Sequence, residues 1–107
     1  PAHTHAYWNR GREYRLQGIY EIAILNYDEY IKLVPDDAEG YFYRAWIYGE
    51  LGQYSDAIEE YNEAIRLNPD YAVAYNNRAI AHNNLGNYEQ AERDFANAEE
   101  LGYDPNN

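Results

Sequence analysis

Apolar and small residues recur along this chain at helical spacing, in six stretches separated by glycine or proline. In the first stretch Tyr7, Gly11 and Tyr14 stand at i, i+4 and i+7, one face of an α-helix. Gly18 follows, at the point where a helix C-terminus favours a residue at home in the left-handed conformation. The spacing predicts a helix from Thr4 to Gln17. A second stripe, Ala23, Tyr27, Tyr30 and Ile31, predicts a helix from Glu21 to Leu33, opened by an acidic residue and closed before Pro35. The same alternation predicts helices from about Ala38 to Leu51, stopped by Gly52, and from Asp56 to Leu67, with Ser55 as N-cap and Pro69 as terminator. Two more follow, from Ala72 to Leu85 and from Glu89 to Leu101, stopped by Gly86 and Gly102, and the closing YDPNN reads as a frayed tail. No strand alternation and no long linker interrupts the series.

The six stretches are three copies of one unit. Sliding the sequence by 34 residues aligns Tyr7, Tyr41 and Tyr75; Gly18, Gly52 and Gly86; Tyr20, Tyr54 and Tyr88; and Ala23, Ala57 and Ala91. A fixed period of this length marks a solenoid, in which helix pairs bury their apolar faces on their neighbours. Stacking of that kind is what lets a chain of 107 residues, one domain by length, bury a workable core. Composition narrows the function classes. With 19 acidic against 8 basic residues the formal net charge is -11, which disfavours nucleic acid and anionic membranes as partners, since both select clustered Lys and Arg. The absence of cysteine removes disulfides and thiolate metal sites. No apolar run approaches the ~20 residues that span a bilayer, so the chain reads as soluble, with a cytoplasmic setting preferred.

The aligned columns resemble the tetratricopeptide repeat, a helix-turn-helix unit with the pattern W-x2-L-G-x2-Y, A-x3-F and P. Its leading aromatic falls on Tyr7, Tyr41 and Tyr75, and its small residue on Gly11, Ala45 and Ala79. Its first-helix tyrosine falls on Tyr14 and Tyr48, with His82 in the third copy. Its second-helix alanine is Ala23, Ala57 and Ala91, followed by Tyr27, Tyr61 and Phe95. The resemblance covers nearly the whole chain and implies a single domain, 1–107, of three repeats at 4–37, 38–71 and 72–105. It implies an all-α fold, a right-handed superhelical solenoid of three antiparallel helix pairs. It also implies a non-catalytic module that binds a partner peptide or helix in its concave groove.

Departures from the pattern carry their own expectations. The family's leucine position holds Arg10, Arg44 and Arg78. Each is expected to lay its stem on a tyrosine and reach a carboxylate of a second helix, in preference to a ligand role. Tyr30 stands where the other copies have Ala64 and Ala98, and Gly40, where they have Ala6 and Ala74, is expected to make room for its ring. In the last repeat Ile24 and Ile58 give way to Glu92, and Ile31 and Ile65 to Glu99, the polar outer face that a solenoid end requires. Phe95 is expected to stay partly uncovered at that edge, which leaves weak self-association open beside a monomer.

Catalytic chemistry finds no constellation: no cysteine nucleophile, no glycine-rich phosphate loop, no HExxH, and no pairing among the few serines and histidines. No enzyme, cofactor or metal is expected. Pro1-Ala2-His3 offers Cu(II) or Ni(II) a square-planar nitrogen set only if Pro1 is a true N-terminus, and a flexible leader is the preferred reading. His82 reads as a partly buried structural histidine. Helix geometry instead selects a binding face. If Tyr7, Gly11 and Tyr14 point inward, His5, Trp8, Arg12, Arg15 and Leu16 point outward. Their counterparts are Glu39, Phe42, Trp46, Gly49 and Glu50, then Val73, Asn76, Ile80, Asn83 and Asn84, with Tyr43 and Asn77 alongside. Trp8, Phe42 and Trp46 are the expected anchors, Arg12 and Arg15 the partners of an acid, and Asn76, Asn77, Asn83 and Asn84 the polar contacts. The family's two-carboxylate clamp for chaperone tails needs lysines, asparagines and an arginine at positions that here read Trp8, Arg12, Tyr43, Val73 and Asn77, a near-complete mismatch. The rival to a peptide-binding module is a structural scaffold that stacks on copies of itself or is a piece of a longer array.

Overall fold

Six helices make up the described residues, 3–106, of the computed structural model: α1 (His3–Leu16), α2 (Tyr20–Leu33), α3 (Ala38–Glu50), α4 (Tyr54–Leu67), α5 (Ala72–Asn84) and α6 (Tyr88–Glu100). They form a solenoid of three antiparallel pairs. The closest packing is within each pair, then between α4 and α5 and between α2 and α3, with a further contact of α3 on α5. The array measures 42 × 25 × 25 Å. None of its helices is long and apolar enough to cross a membrane. Pro1 and Ala2, which the proposed copper or nickel set would need, lie outside the described residues.

One turn motif joins the two helices of every pair. The Gly18 N–H donates to the Arg15 carbonyl (3.0 Å) and the Ile19 N–H to the Tyr14 carbonyl (2.9 Å), and Gly18 sits at φ +76°. These two bonds cap the last carbonyls of α1. The Gln53 N–H repeats the second of these bonds to the Tyr48 carbonyl (2.8 Å) and the Asn87 N–H to that of His82 (2.8 Å). Only one residue then separates the glycine from the next helix, so α2, α4 and α6 start at tyrosines, a residue or two earlier than the sequence suggests. Ser55 is therefore the second residue of α4 and not its cap; the cap position is Gln53, which makes no side-chain bond. The tail is corrected by the same motif. Tyr103 donates to the Ala98 carbonyl (2.9 Å) and is half-buried, so it is held on α6, whereas 104–106 are exposed and make only the local bond of the Asn106 N–H to Asp104 Oδ1 (2.8 Å).

Two buried clusters fill the interior. Ala23, Tyr27 and Ile47 form one, ringed by Trp8, Tyr14, Tyr20, Ile24, Tyr43 and Trp46. Phe42, Ala45, Ala57, Tyr61, Ala64 and Ala74 form the other. Small residues let aromatic rings reach across each pair: a Cβ on Gly11 would lie 3.1 Å from the Tyr27 ring.

The two junctions between repeats solve one packing problem differently. In the first, Tyr30 lies against Trp8 (centroids 4.8 Å apart), and its hydroxyl bonds to Asp37, which caps α3 by accepting from the Glu39 N–H (3.0 Å). In the second, Ala64 and Tyr71 replace Tyr30 and Asp37, and Tyr71 stacks on Phe42 (5.0 Å, 27°). Trp8 and Phe42 are equivalent residues, so each first-helix aromatic receives a ring, once from a helix and once from a linker. Gly40 belongs to the first solution. A Cβ there would stand 3.1 Å from Ile31 Cγ1 and 3.3 Å from the Tyr30 ring. Gly40→Leu is expected to overpack this junction by about 1–3 kcal/mol, lowering the melting temperature by roughly 5–15 °C; calorimetry showing an unchanged melt contradicts this account.

Candidate functional site

The three repeated arginines form a seam through the array. Arg44 lies beside the Tyr41 ring and bonds Glu60 of its own repeat (Nε–Oε1 2.6 Å) and Asp28 of the preceding one (2.8 Å). Arg78 lies beside Tyr75 and holds Asp94 through two bonds of 2.7 Å and Asn62 through one of 2.9 Å. Arg10 lies beside Tyr7 and donates to Asn26 (3.2 Å), a neutral acceptor. Arg44 and Arg78 thus reach a second-helix carboxylate beside a tyrosine ring, as expected from the sequence, whereas Arg10 departs from the expectation by bonding an amide. The reach into the preceding repeat is new. Burial pushes the Glu60 carboxyl up even though Arg44 pulls it down, so holding the pair carries a desolvation cost. Arg44→Met, which keeps the stem, is expected to cost ~2 kcal/mol in chemical denaturation, and Arg44→Met/Glu60→Gln to recover part of it.

The proposed binding face divides into covered and open residues. Phe42 is buried beneath Tyr71 and leaves no surface for a partner. Trp8 is half-buried among Tyr27, Tyr30 and Tyr43, and Val73 packs on the second cluster. Arg15 is committed internally: its Nε donates to the Tyr27 hydroxyl (3.1 Å) and its guanidinium lies 4.2 Å from the Tyr43 centroid. Arg12 is exposed beside Glu13 (3.3 Å). His5, Glu39, Asn83 and Asn84 are exposed, Asn76 and Asn77 half-buried and bonded to each other (3.3 Å), and Ile80 is 47% exposed.

Of these, Asn77, Ile80 and Asn84 meet Trp46 at a pocket of about 190 Å³ between α3, α4 and α5, which Gly49, Glu50, Tyr54, Tyr61 and Ala81 also line, while His5, Arg12, Glu39, Asn76 and Asn83 lie outside it. Burial raises the Tyr61 phenol well above its usual range, with Glu50 adding to the rise and Asn77 opposing it. Tyr54 and Tyr61 come from a second helix, outside the first-helix face that the sequence singles out. Their signal was present in the repeat: Tyr54 is the column of Tyr20, which meets Trp46 at 6.1 Å.

His82 leaves a second opening, of about 240 Å³, between α5 and α6, lined with Arg78, Gln90, Arg93, Asp94 and Asn97. Tyr14 and Tyr48 occupy its position in the other repeats. Burial lowers the His82 pKa from the usual 6.5, against the pull of Asp94 and with Arg78 assisting. The unfolded chain thus binds a proton that the folded chain rejects. This contribution to stability is complete above pH 6.5 and declines as pH falls through that value. His82→Tyr is expected to raise the melting temperature and to flatten its fall between about pH 7 and 5; parallel melting profiles of the two proteins contradict this.

Comparison with known proteins agrees with this geometry. Models described as tetratricopeptide or TPR repeats match residues 26–59, 46–86 and 72–102. No curated protein sequence matches significantly. Among solved structures, the first TPR of Spaghetti (RPAP3), bound to the HSP90 peptide SRMEEVD, is 31% identical with a TM-score of 0.90, over 97% of this chain and 81% of that one. The TPR2B domain of yeast Sti1, in a pHsp70 complex, is 28% identical with a TM-score of 0.91, over 99% and 85%. MamA is 26% identical with a TM-score of 0.88, over 92% and 57%. Three helix pairs in one 34-residue register, together with these matches along nearly the whole length, establish that the chain belongs to the tetratricopeptide repeat family.

Proposed function

We propose that the chain is a non-catalytic interaction module that binds a partner peptide or helix along the face of α1, α3 and α5. The carrying observation is the open, aromatic-walled pocket at Trp46, Tyr54, Tyr61 and Ile80. One of the similar structures holds an HSP90 peptide and another is a pHsp70 complex, which supports peptide binding as the use of this face. The peptide chemistry is argued separately. Of the five positions that a two-carboxylate clamp uses, Trp8, Tyr43 and Val73 are packed against neighbouring aromatic and apolar groups, and only Arg12 is basic. The excess of 19 acidic over 8 basic residues points away from nucleic acid and anionic membranes.

A structural reading has one observation behind it. Tyr88 and Phe95 are 66% and 36% exposed on α6, where their equivalents Tyr54 and Tyr61 face the next repeat. Exposed Glu92 and Glu99 on the same helix disfavour stacking of copies, and a concentration-independent mass in light scattering separates the two readings. For the binding role, peptides selected from a random 12-residue display library on the immobilised chain are expected to lose at least ~2 kcal/mol of affinity on Trp46→Ala or Ile80→Asp. Unchanged affinity for both folded variants overturns the placement of the site.

A further inference from the structure

The pocket between α3, α4 and α5 has an unusual combination of groups. Three aromatic rings, Trp46, Tyr54 and Tyr61, share its wall with one carboxylate, Glu50. No described cation lies within 4.0 Å of that carboxylate, which is exposed at the end of α3 and free to pair with a ligand. Asn77 and Asn84 complete the lining. The Asn84 amide nitrogen is used on the Ile80 carbonyl (2.9 Å), which leaves its oxygen as an acceptor.

Aromatic faces attract cations through the ring quadrupole, most strongly when water is partly excluded. A neighbouring carboxylate adds a direct ion pair, and amide oxygens accept the remaining N–H groups. The protein already uses this chemistry next door. The Arg15 guanidinium lies 4.2 Å from the Tyr43 centroid and 5.9 Å from that of Trp46. The whole-chain charge of -11 favours the approach of a basic ligand.

We infer that this pocket receives a cationic side chain, arginine or lysine, of the bound peptide, with its charge over Trp46, Tyr54 and Tyr61 and paired with Glu50. The inference rests on the peptide-binding reading of the face and gives it a polarity. The exposed Arg12 stands on α1 and the unpaired Glu50 at the end of α3, so the partner's basic residue lies toward the α3–α5 end.

The test uses peptides selected from the random 12-residue library. Selected peptides are expected to share one Arg or Lys. Its replacement by norleucine is expected to weaken binding at least tenfold, and Glu50→Gln, at an exposed position, to do the same without shifting the melting temperature. Exchanging Arg for Lys in the same peptide tells a planar guanidinium site from an ammonium site. Peptides that shift the Trp46 indole signal in 15N NMR spectra but tolerate norleucine, or that bind Glu50→Gln equally well, overturn the cation pocket and leave the binding face standing. Peptides that leave Trp46 and Ile80 unperturbed overturn both.

Discussion

Tyr27 and Gly11 make the contact on which the rest of the array depends. The ring stands so close to the first helix that even a Cβ at Gly11 would lie 3.1 Å from it, and a first and a second helix are thereby held at short range. Ala45 and Tyr61 share one buried cluster in the second pair. A pair closed in this way still presents apolar surface on its far side. That surface is covered by the next pair, as Ile47, fully buried beside Ala23 and Tyr27, shows. The solenoid is thus a chain of nearest-neighbour interfaces, in which each repeat completes the one before it.

The arginine seam adds direction to this stacking. Arg44 and Arg78 each bond sixteen residues forward within their own repeat and sixteen back into the preceding one. A hydrophobic face by itself tolerates some sliding, whereas a guanidinium held between two fixed acceptors does not. Arg10 has only the forward bond, as expected of the first repeat described.

Because the repeats differ in how their aromatics are covered, the proposed binding face is uneven. Trp8 and Phe42 each receive a tyrosine, from α2 in one case and from the α4–α5 linker in the other. Asn76 occupies the same place in the third repeat and needs no ring. The face therefore runs from arginines and covered aromatics on α1, through the pocket and Glu50, to the asparagines of α5.

The sequence by itself determined the period, the six helices, the four glycine stops and the lodging of the arginines on tyrosines, because each follows from local spacing or from chemistry repeated in one register. It placed Trp46, Asn77, Ile80 and Asn84 on one side of the first helices for the same reason, and the fold gathers these four around one pocket. Helix starts were less legible, since hydrogen bonds of the turn after Gly18 and Gly52 decide them more than cap propensity does. Phe42 lay beyond its reach altogether: its helical position points it outward, and only the tertiary fold brings Tyr71 over it. The pocket is likewise a tertiary product, since Tyr54 and Tyr61 of α4 meet Trp46 and Ile80 only once three helices have packed. Periodicity tells which side of a helix a residue occupies, but what covers that side is set by residues far along the chain, and their arrival is a matter of packing.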